Sequence, residues 1–304
     1  NEGPIKEDDD FTMISNDPEI IPEEGILFSG ELKNFESARL LYYHSNLSGE
    51  TYNLVTSIYN PSDFPIEILT YYGIGGPSED GLYAGHVATY RFMDKLKYNA
   101  GKIIRINPKE KYNLIEQNLG PNLNIGTAIA KIWLVSGIEA KIEITSTKQK
   151  IKNNLKIIKC TWDNGRISHF IPESKVDIEK EITSDKKSIE IRIGEDPVFV
   201  SEKRGFDIHL GNYGLLHKIK LKLTNNQKSY KNFSILYSAK GGLSRGIFLI
   251  NNTIYETGLL GTNSKNSEKL FSLVIPPNSS KFLEILMLPQ PGSYYPTVLT
   301  IQND

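Results

Sequence analysis

The 304 residues carry 35 Lys and Arg against 36 Asp and Glu, so no excess charge draws the chain to nucleic acid or to an anionic membrane surface. The apolar runs stop well short of the ~20 residues that span a bilayer, and the single cysteine, Cys160, excludes an internal disulfide framework and a thiolate metal cluster. The length accommodates two domains, each burying its own core.

The opening NEGPIKEDDDF has no initiator methionine, basic segment or apolar core, and reads as a mature or truncated start rather than a signal peptide. Residues 1–24 are expected to form a flexible acidic tail, with Glu7–Asp10 a solvated run rather than a cation cage. From Gly25 onward, Ile, Val, Tyr, Thr and Phe dominate short runs closed by Asn, Gly, Pro or Ser, and sustained helical periodicity is nearly absent. That pattern predicts an all-β fold of two tandem β-sandwich domains, Ig-like or jelly-roll-like, related by internal duplication and holding at most one or two short helices.

The first sandwich is placed at residues 25–147, built from EEGILFSGEL, ARLLYYHSN, YNLVTSIYN and PIEILTYYGI, then KIIRINPKEKYNLIEQNL, TAIAKIWLVSG and AKIEITST. Its centre is Leu69–Tyr90, where LTYYGI runs into GGPSEDG and LYAGHVATY. Gly85–Lys97 sets Val87, Tyr90, Met93 and Leu96 at intervals of three, which predicts a short helix with those four on one face. The polar KQKIKNN marks a linker at 148–154, and the second sandwich follows at 155–304. There Leu215–Leu223 alternates Ile219, Leu221 and Leu223 with Lys218, Lys220 and Lys222, so one strand face meets a core and the other meets water. The central stretch returns at Ile235–Tyr255, setting Gly241-Gly242 against Gly75-Gly76, Ser244 against Ser78, Gly246 against Gly81 and Tyr255 against Tyr90. Paired glycines between apolar runs predict two equivalent turns; Asn225 answers Asn60, and Pro276 answers Pro108.

EEGILFSG, ARLLYYHSN, YYGIGGPSEDGLYAG, RGFDIHLGNYGLLHKIKLKL and YSAKGGLSRGIFLINNTIYE together resemble a region of secreted Gram-positive bacterial proteins, often found beside a copper amine oxidase-like N-terminal domain. The resemblance covers most of the chain from about Gly25, and implies secretion and a cell-envelope setting without an established reaction. It does not imply amine oxidation. The only Asn-Tyr is Asn212-Tyr213, followed by Gly214 where a quinone-forming motif carries Asp or Glu. His44, His86, His169, His209 and His217 include no His-x-His spacing, and neither a metal nor another cofactor is expected.

Gly242-Leu243-Ser244-Arg245-Gly246 matches the G-x-S-x-G pattern of a serine-hydrolase elbow, but IFLINNTIY follows where that elbow needs a helix, and a turn is the better reading. Glu79-Asp80 and Glu195-Asp196 are read as solvated loop charges rather than a glycosidase pair. Asp80 and Asp196 lack the D-x-D-x-D-G pattern of a calcium loop. The pairs Tyr42-Tyr43, Tyr71-Tyr72 and Tyr294-Tyr295 place one ring of each on either strand face, offering stacking surfaces to a sugar. Trp133 is read as core, Trp162 as either core or platform, and the lysine alternation as a solvated face rather than a dock for an anionic wall polymer.

The expectation is thus a non-catalytic extracellular binding or structural module at the bacterial cell surface, with carbohydrate recognition by exposed tyrosines as the alternative and a serine or carboxylate hydrolase as a distant third. Candidate partners are a cell-wall polymer, a polysaccharide or another surface protein, with no nucleic acid and no membrane span. Candidate ligand contacts are Ser78, Asp80, Ser244 and Arg245 at the two glycine turns, with Tyr72 and Tyr295 as stacking rings.

Overall fold

The computed structural model describes residues 8–148, 155–158, 169–196, 198–200, 207–262 and 267–303. Cys160, Trp162, most of the expected linker and the side chain of His169 lie outside the described set. Contacts divide the described residues into two compact units: the first runs to Ser174 and the second begins at Lys175, apart from Val200, which groups with the first.

The first unit contains β1 (Phe11–Ser15), β2 (Gly25–Lys33), β3 (Ser37–Asn46), β4 (Tyr52–Tyr59), β5 (Ile66–Ser78), α1 (Gly81–Tyr98), β6 (Lys102–Ile106), β7 (Lys111–Leu119), β8 (Asn124–Ser136), β9 (Glu139–Thr147) and β10 (His169–Ile171). Its six-stranded sheet has the order β10-β1-β3-β8-β5-β6, and its four-stranded sheet the order β2-β9-β4-β7. Between them Met13, Phe28, Leu40, Leu54, Ile68, Ile132 and Ile142 form a fully buried core. The Tyr42 hydroxyl donates to Gln117 Oε1 at 2.5 Å, and Gln117 Nε2 donates to the Gly75 carbonyl at 2.9 Å, so a buried polar chain ties β3, β7 and β5 together.

The second unit contains β11 (Lys175–Thr183), β12 (Ser188–Ile193), β13 (Val198–Val200), β14 (Asp207–His209), β15 (Leu216–Asn225), β16 (Lys231–Ala239), β17 (Ile247–Ile250), β18 (Thr253–Glu256), β19 (Ser267–Ile275), β20 (Ser279–Met287) and β21 (Thr297–Asn303). Its main sheets are β11-β15-β20-β17-β18 and β12-β21-β16-β19, with β13 and β14 a separate ribbon. Phe233, Ile235, Leu221, Phe248, Ile285 and Leu299 fill its core. The fold is all-β, two sandwiches with one helix among the described residues, and the strand order of the second repeats that of the first. β1-β3-β8-β5-β6 corresponds to β11-β15-β20-β17-β18, including the single parallel pair in each, and β2-β9-β4-β7 corresponds to β12-β21-β16-β19.

That correspondence relocates several residues. Asn225 ends β15, so its counterpart is Asn46 at the end of β3, not Asn60 at the end of β4. Pro277 precedes a left-handed Asn278 between β19 and β20, as Pro121 precedes a left-handed Asn122 between β7 and β8; Pro108 belongs to the β6–β7 link. Gly241-Gly242 lies between β16 and β17, whereas Gly75-Gly76 lies inside β5, with Gly75 opposite Thr127 of β8. The two glycine pairs are therefore not equivalent turns. In β5 the glycines serve packing: a Cβ on Gly73 would stand 2.1 Å from the Ala88 carbonyl oxygen, and one on Gly75 1.8 Å from that of Ala84.

The helix is longer than the periodicity predicts and turned differently. Asp80 caps it, its Oδ1 accepting from Tyr83 N at 3.0 Å, so the helix starts at Gly81. Ala84, Gly85, Ala88, Phe92 and Met93 form the buried stripe, and Tyr90 is exposed. Small residues face the sheet because β5 presents glycine there, and the backbones approach closely.

The described residues before Gly25, from Asp8 onward, do not form a loose tail. β1 pairs in parallel with β3 and antiparallel with β10, and Met13 enters the core. Nor does the second unit begin at 155: Ile26 N donates to the Lys156 carbonyl at 2.8 Å, Ile158 N to the Ile26 carbonyl at 2.9 Å, and β10 lies on β1, so these segments complete the first sandwich.

Candidate functional site

Ser78 and Asp80 stand at the junction of β5 and α1, where each has a local structural task. Ser78 Oγ accepts from Asp80 N at 3.0 Å, and Asp80 caps the helix. Ser244 is fully buried: its backbone exchanges two hydrogen bonds with Leu260, and its Oγ lies 2.7 Å from the Tyr237 hydroxyl. The chain leaves this loop as β17, an extended strand, so the context a nucleophile elbow requires is absent here. Arg245 N donates to Ser293 Oγ at 3.2 Å and its Nε to the Thr257 carbonyl at 3.3 Å, holding three loops of the second unit in place. The four residues expected to share a site at equivalent turns therefore occupy unlike positions in different units.

Burial pushes the Tyr237 hydroxyl up to about 12, keeping it a neutral hydrogen-bonding group next to Ser244. Tyr295 is half-buried against the second core; its hydroxyl accepts from Gln290 N at 2.9 Å and its ring meets Tyr213 edge-on at 5.4 Å. Tyr72 packs half-buried on the first core with Lys102 Nζ 5.7 Å from its ring centre. Of the other pair members, Tyr42 and Tyr71 are buried and Tyr294 is 59% exposed. Two of the pairs belong to the first unit, on β3 and β5 with β8 between them, and the third belongs to the second unit, between β20 and β21. Trp133, expected in the core, is half-buried on the outer face of β8 and donates Nε1–H to the Phe35 carbonyl at 3.0 Å.

Across the parallel ladder of the second unit, Asp177, Glu179 and Glu181 of β11 stand opposite Lys218, Lys220 and Lys222 of β15. Lys222 reaches Glu181 at 2.8 Å and Lys220 reaches Glu179 at 3.9 Å, so this face is a charge-matched ladder rather than a basic ridge. In the first unit the positions of Lys218, Lys220 and Lys222 are taken by Arg39, Leu41 and Tyr43, a less polar face beside α1. Glu195 pairs with Arg192 in the solvent. Among the described residues no three His, Cys, Asp or Glu side chains gather as metal ligands, and no helix is long and apolar enough to cross a membrane.

What the sequence did not single out is the outer face of α1. Tyr83, Tyr90 and Tyr98 are 53%, 40% and 65% exposed. Seven and eight residues apart, they follow one side of the helix at steps of about 10 and 12 Å along its axis. Val87 lies half-buried between the first two, and Lys97 Nζ stands 4.7 Å from the Tyr98 ring centre. The i, i+7 spacing was readable; the helix orientation that exposes it depended on Gly73 and Gly75.

No protein-family model and no curated protein matches the chain. Among solved structures it is similar to the N-terminal tandem CBM22 domains of Xyn10C from Paenibacillus barcinonensis, at 6% identity and a TM-score of 0.19 over 93% of this chain and 98% of that one. It is also similar to the PBSX exported protein XepA, at 11% identity and a TM-score of 0.17 over 93% and 87%. A third likeness is to the multicopper oxidase Fet3p, at 8% identity and a TM-score of 0.13 over 84% and 51%.

Proposed function

We propose that this chain is a non-catalytic, secreted bacterial binding module that works at the cell surface, and that it engages polysaccharide through α1. One observation carries the reading. Between β5 and β6 the first unit holds a helix exposing three tyrosines along one side, where the second unit joins β17 to β18 by the two-residue turn Asn251-Asn252. Exposed tyrosine rings are apolar faces with a polar edge, suited to stacking on sugar rings while their hydroxyls remain in water. The residues once matched to hydrolase chemistry favour the non-catalytic side: Ser244 is sealed and Asp80 is engaged as a cap. The resemblance to secreted Gram-positive proteins supports the setting.

The test is an array of plant and bacterial polysaccharides, peptidoglycan included, at two salt concentrations. Salt-insensitive binding by the parent protein, lost in a Tyr83→Ala, Tyr90→Ala double variant of unchanged stability, is the expected result. Turnover of a substrate in a hydrolase and oxidase panel, abolished by one point substitution, would refute the non-catalytic reading. Absence of glycan binding would refute the polysaccharide assignment and leave a structural or protein-binding module.

A further inference from the structure

Three loops of the second unit hold a charged group that the binding role above does not use. Ser244 and Leu260 form an antiparallel bridge, and both are buried. Side chains alternate along such a bridge, so Leu243 and Arg245 on one segment and Leu259 on the other project away from the core. Leu243 and Leu259 are 51% and 58% exposed, and Arg245 is half-buried beside them. Arg245 is fixed at two points, through N on Ser293 Oγ and Nε on the Thr257 carbonyl. Its two Nη atoms have no hydrogen-bond or ion-pair partner among the described residues. Glu268 of β19 is engaged elsewhere, accepting from Gly258 N at 2.9 Å. Tyr294 completes the frame: its N donates to the Leu243 carbonyl at 3.0 Å, and its side chain is 59% exposed. A Cβ on Gly242 would stand 2.8 Å from Tyr294 Cβ, so the glycine lets that tyrosine lie against the loop. The segment carrying Tyr294 is braced, since Ser293 Oγ also accepts from Gln290 Nε2 at 3.0 Å and the Ser293 carbonyl from the Tyr213 hydroxyl at 2.7 Å.

We infer that Arg245 and Tyr294, framed by Leu243 and Leu259, form a second binding site, which takes a carboxylate-bearing sugar of an acidic polysaccharide.

Each part of the site answers one part of such a sugar. A guanidinium presents its donors as a planar fork that matches the two oxygens of a carboxylate. The bond from Nε to Thr257 fixes the plane of that fork and leaves both Nη groups for the ligand. The exposed Tyr294 ring offers its apolar face to the C–H side of a pyranose while its hydroxyl stays in water. Leu243 and Leu259 keep water from the flanks of the ion pair, and attraction between charges rises as their surroundings dry. Lys240, exposed on the same loop and in no ion pair among the described residues, adds a second positive charge that draws anions to this face. A neutral sugar would leave the fork facing water alone, and an apolar peptide would bury it without a counter-charge, which is costly. Because Ser293 and Thr257 already hold the loop, little freedom is lost on binding. The site lies wholly in the second unit and α1 in the first, so its ligand is independent of the polysaccharide proposed for α1.

Titration calorimetry on the intact chain tests this with oligomers of galacturonate, mannuronate and glucuronate, each set against its carboxyl-reduced counterpart, and with poly(glycerol phosphate). At least one uronate oligomer should bind, and its carboxyl-reduced form should bind at least tenfold more weakly. Arg245→Gln and Tyr294→Ala should each weaken uronate binding at least tenfold, while the Tyr83→Ala, Tyr90→Ala double variant should bind uronate as the parent does. Failure of all three uronates to bind would overturn the inference, as would equal binding of the reduced oligomers or of poly(glycerol phosphate). Loss of uronate binding in the double variant, with Tyr294→Ala unchanged, would overturn it too and place the acidic sugar on α1. Carboxyl reduction on the parent protein and the exposed Tyr294→Ala change decide the matter even if Arg245→Gln, which removes a bond between loops, does not fold.

Discussion

Asn225 offers the most direct test of how these sandwiches are closed. It is fully buried, and its amide nitrogen reaches the carbonyls of Ser229, Ile275 and Pro276 at 2.8, 3.0 and 3.1 Å, while its Oδ1 accepts from Gln227 N at 2.9 Å. One side chain thereby joins the ends of β15 and β19 to the loop before β16. Asn225→Ala removes about three hydrogen bonds, at roughly 1 kcal/mol each, and leaves buried carbonyls to be rehydrated or left unsatisfied, so the loss should be about 3–5 kcal/mol. With a urea slope of about 2 kcal/mol/M for a domain of this size, the midpoint should fall by roughly 1.5–2.5 M. The assay is urea unfolding followed by hydrogen exchange, which identifies the unit that opens. Peptides from β15, β16 and β19 should become labile while those from β3, β4 and β7 keep the parent midpoint. A loss below about 1 kcal/mol, or an equal shift in both units, would refute the hub argument.

Asn46→Ala should reproduce the effect in the first unit, because Asn46 Nδ2 contacts the Glu50, Leu119 and Gly120 carbonyls in the same way, and exchange mapping locates the change. Gly75→Ala should cost about 3 kcal/mol by overpacking, since its Cβ would stand 1.8 Å from the Ala84 carbonyl oxygen; circular dichroism should show the helix signal melting early. His217 is buried and desolvation holds it down to about 4, against an ordinary value of 6.5. The unfolded chain therefore takes up the proton first as pH falls, and stability present above pH 6.5 declines by about 3 kcal/mol toward pH 4. A His217→Gln variant should flatten that slope in second-unit peptides. Ser244→Ala should destabilise by about 1 kcal/mol through the lost Tyr237 bond, measured by thermal melting, and should leave any glycan binding unchanged.

The all-β class and most strand positions could be read from the chain because period-two patterns such as Ile219, Leu221 and Leu223 depend only on which face is buried. The glycine alignment failed for a physical reason: a short Gly-Gly-x-Ser string reports backbone freedom, and β5 used that freedom to admit α1 rather than to turn. The acidic start was misread because burying Asp9 depends on Arg39 and Lys131, thirty or more residues away, which local composition cannot reveal. Of the candidate site residues, Asp80 stands between β5 and α1, and its capping role depends on the helix that follows, which the Gly-Pro-Ser-Glu-Asp-Gly string does not announce. Tyr72 and Tyr295 were chosen by strand alternation, which separates two faces but cannot say which one is covered.

The two-residue link between β17 and β18, set against twenty-odd residues and a full helix between β5 and β6, marks one position as modular. Two copies of one strand order differ there by a whole element without any ladder changing partners. Asn251 and Asn252, both left-handed, close a hairpin whose strands are already held by β20, so that turn is a natural graft point for protein engineering. A helix or epitope inserted there would be displayed as α1 is, on a scaffold that has already carried such a load once.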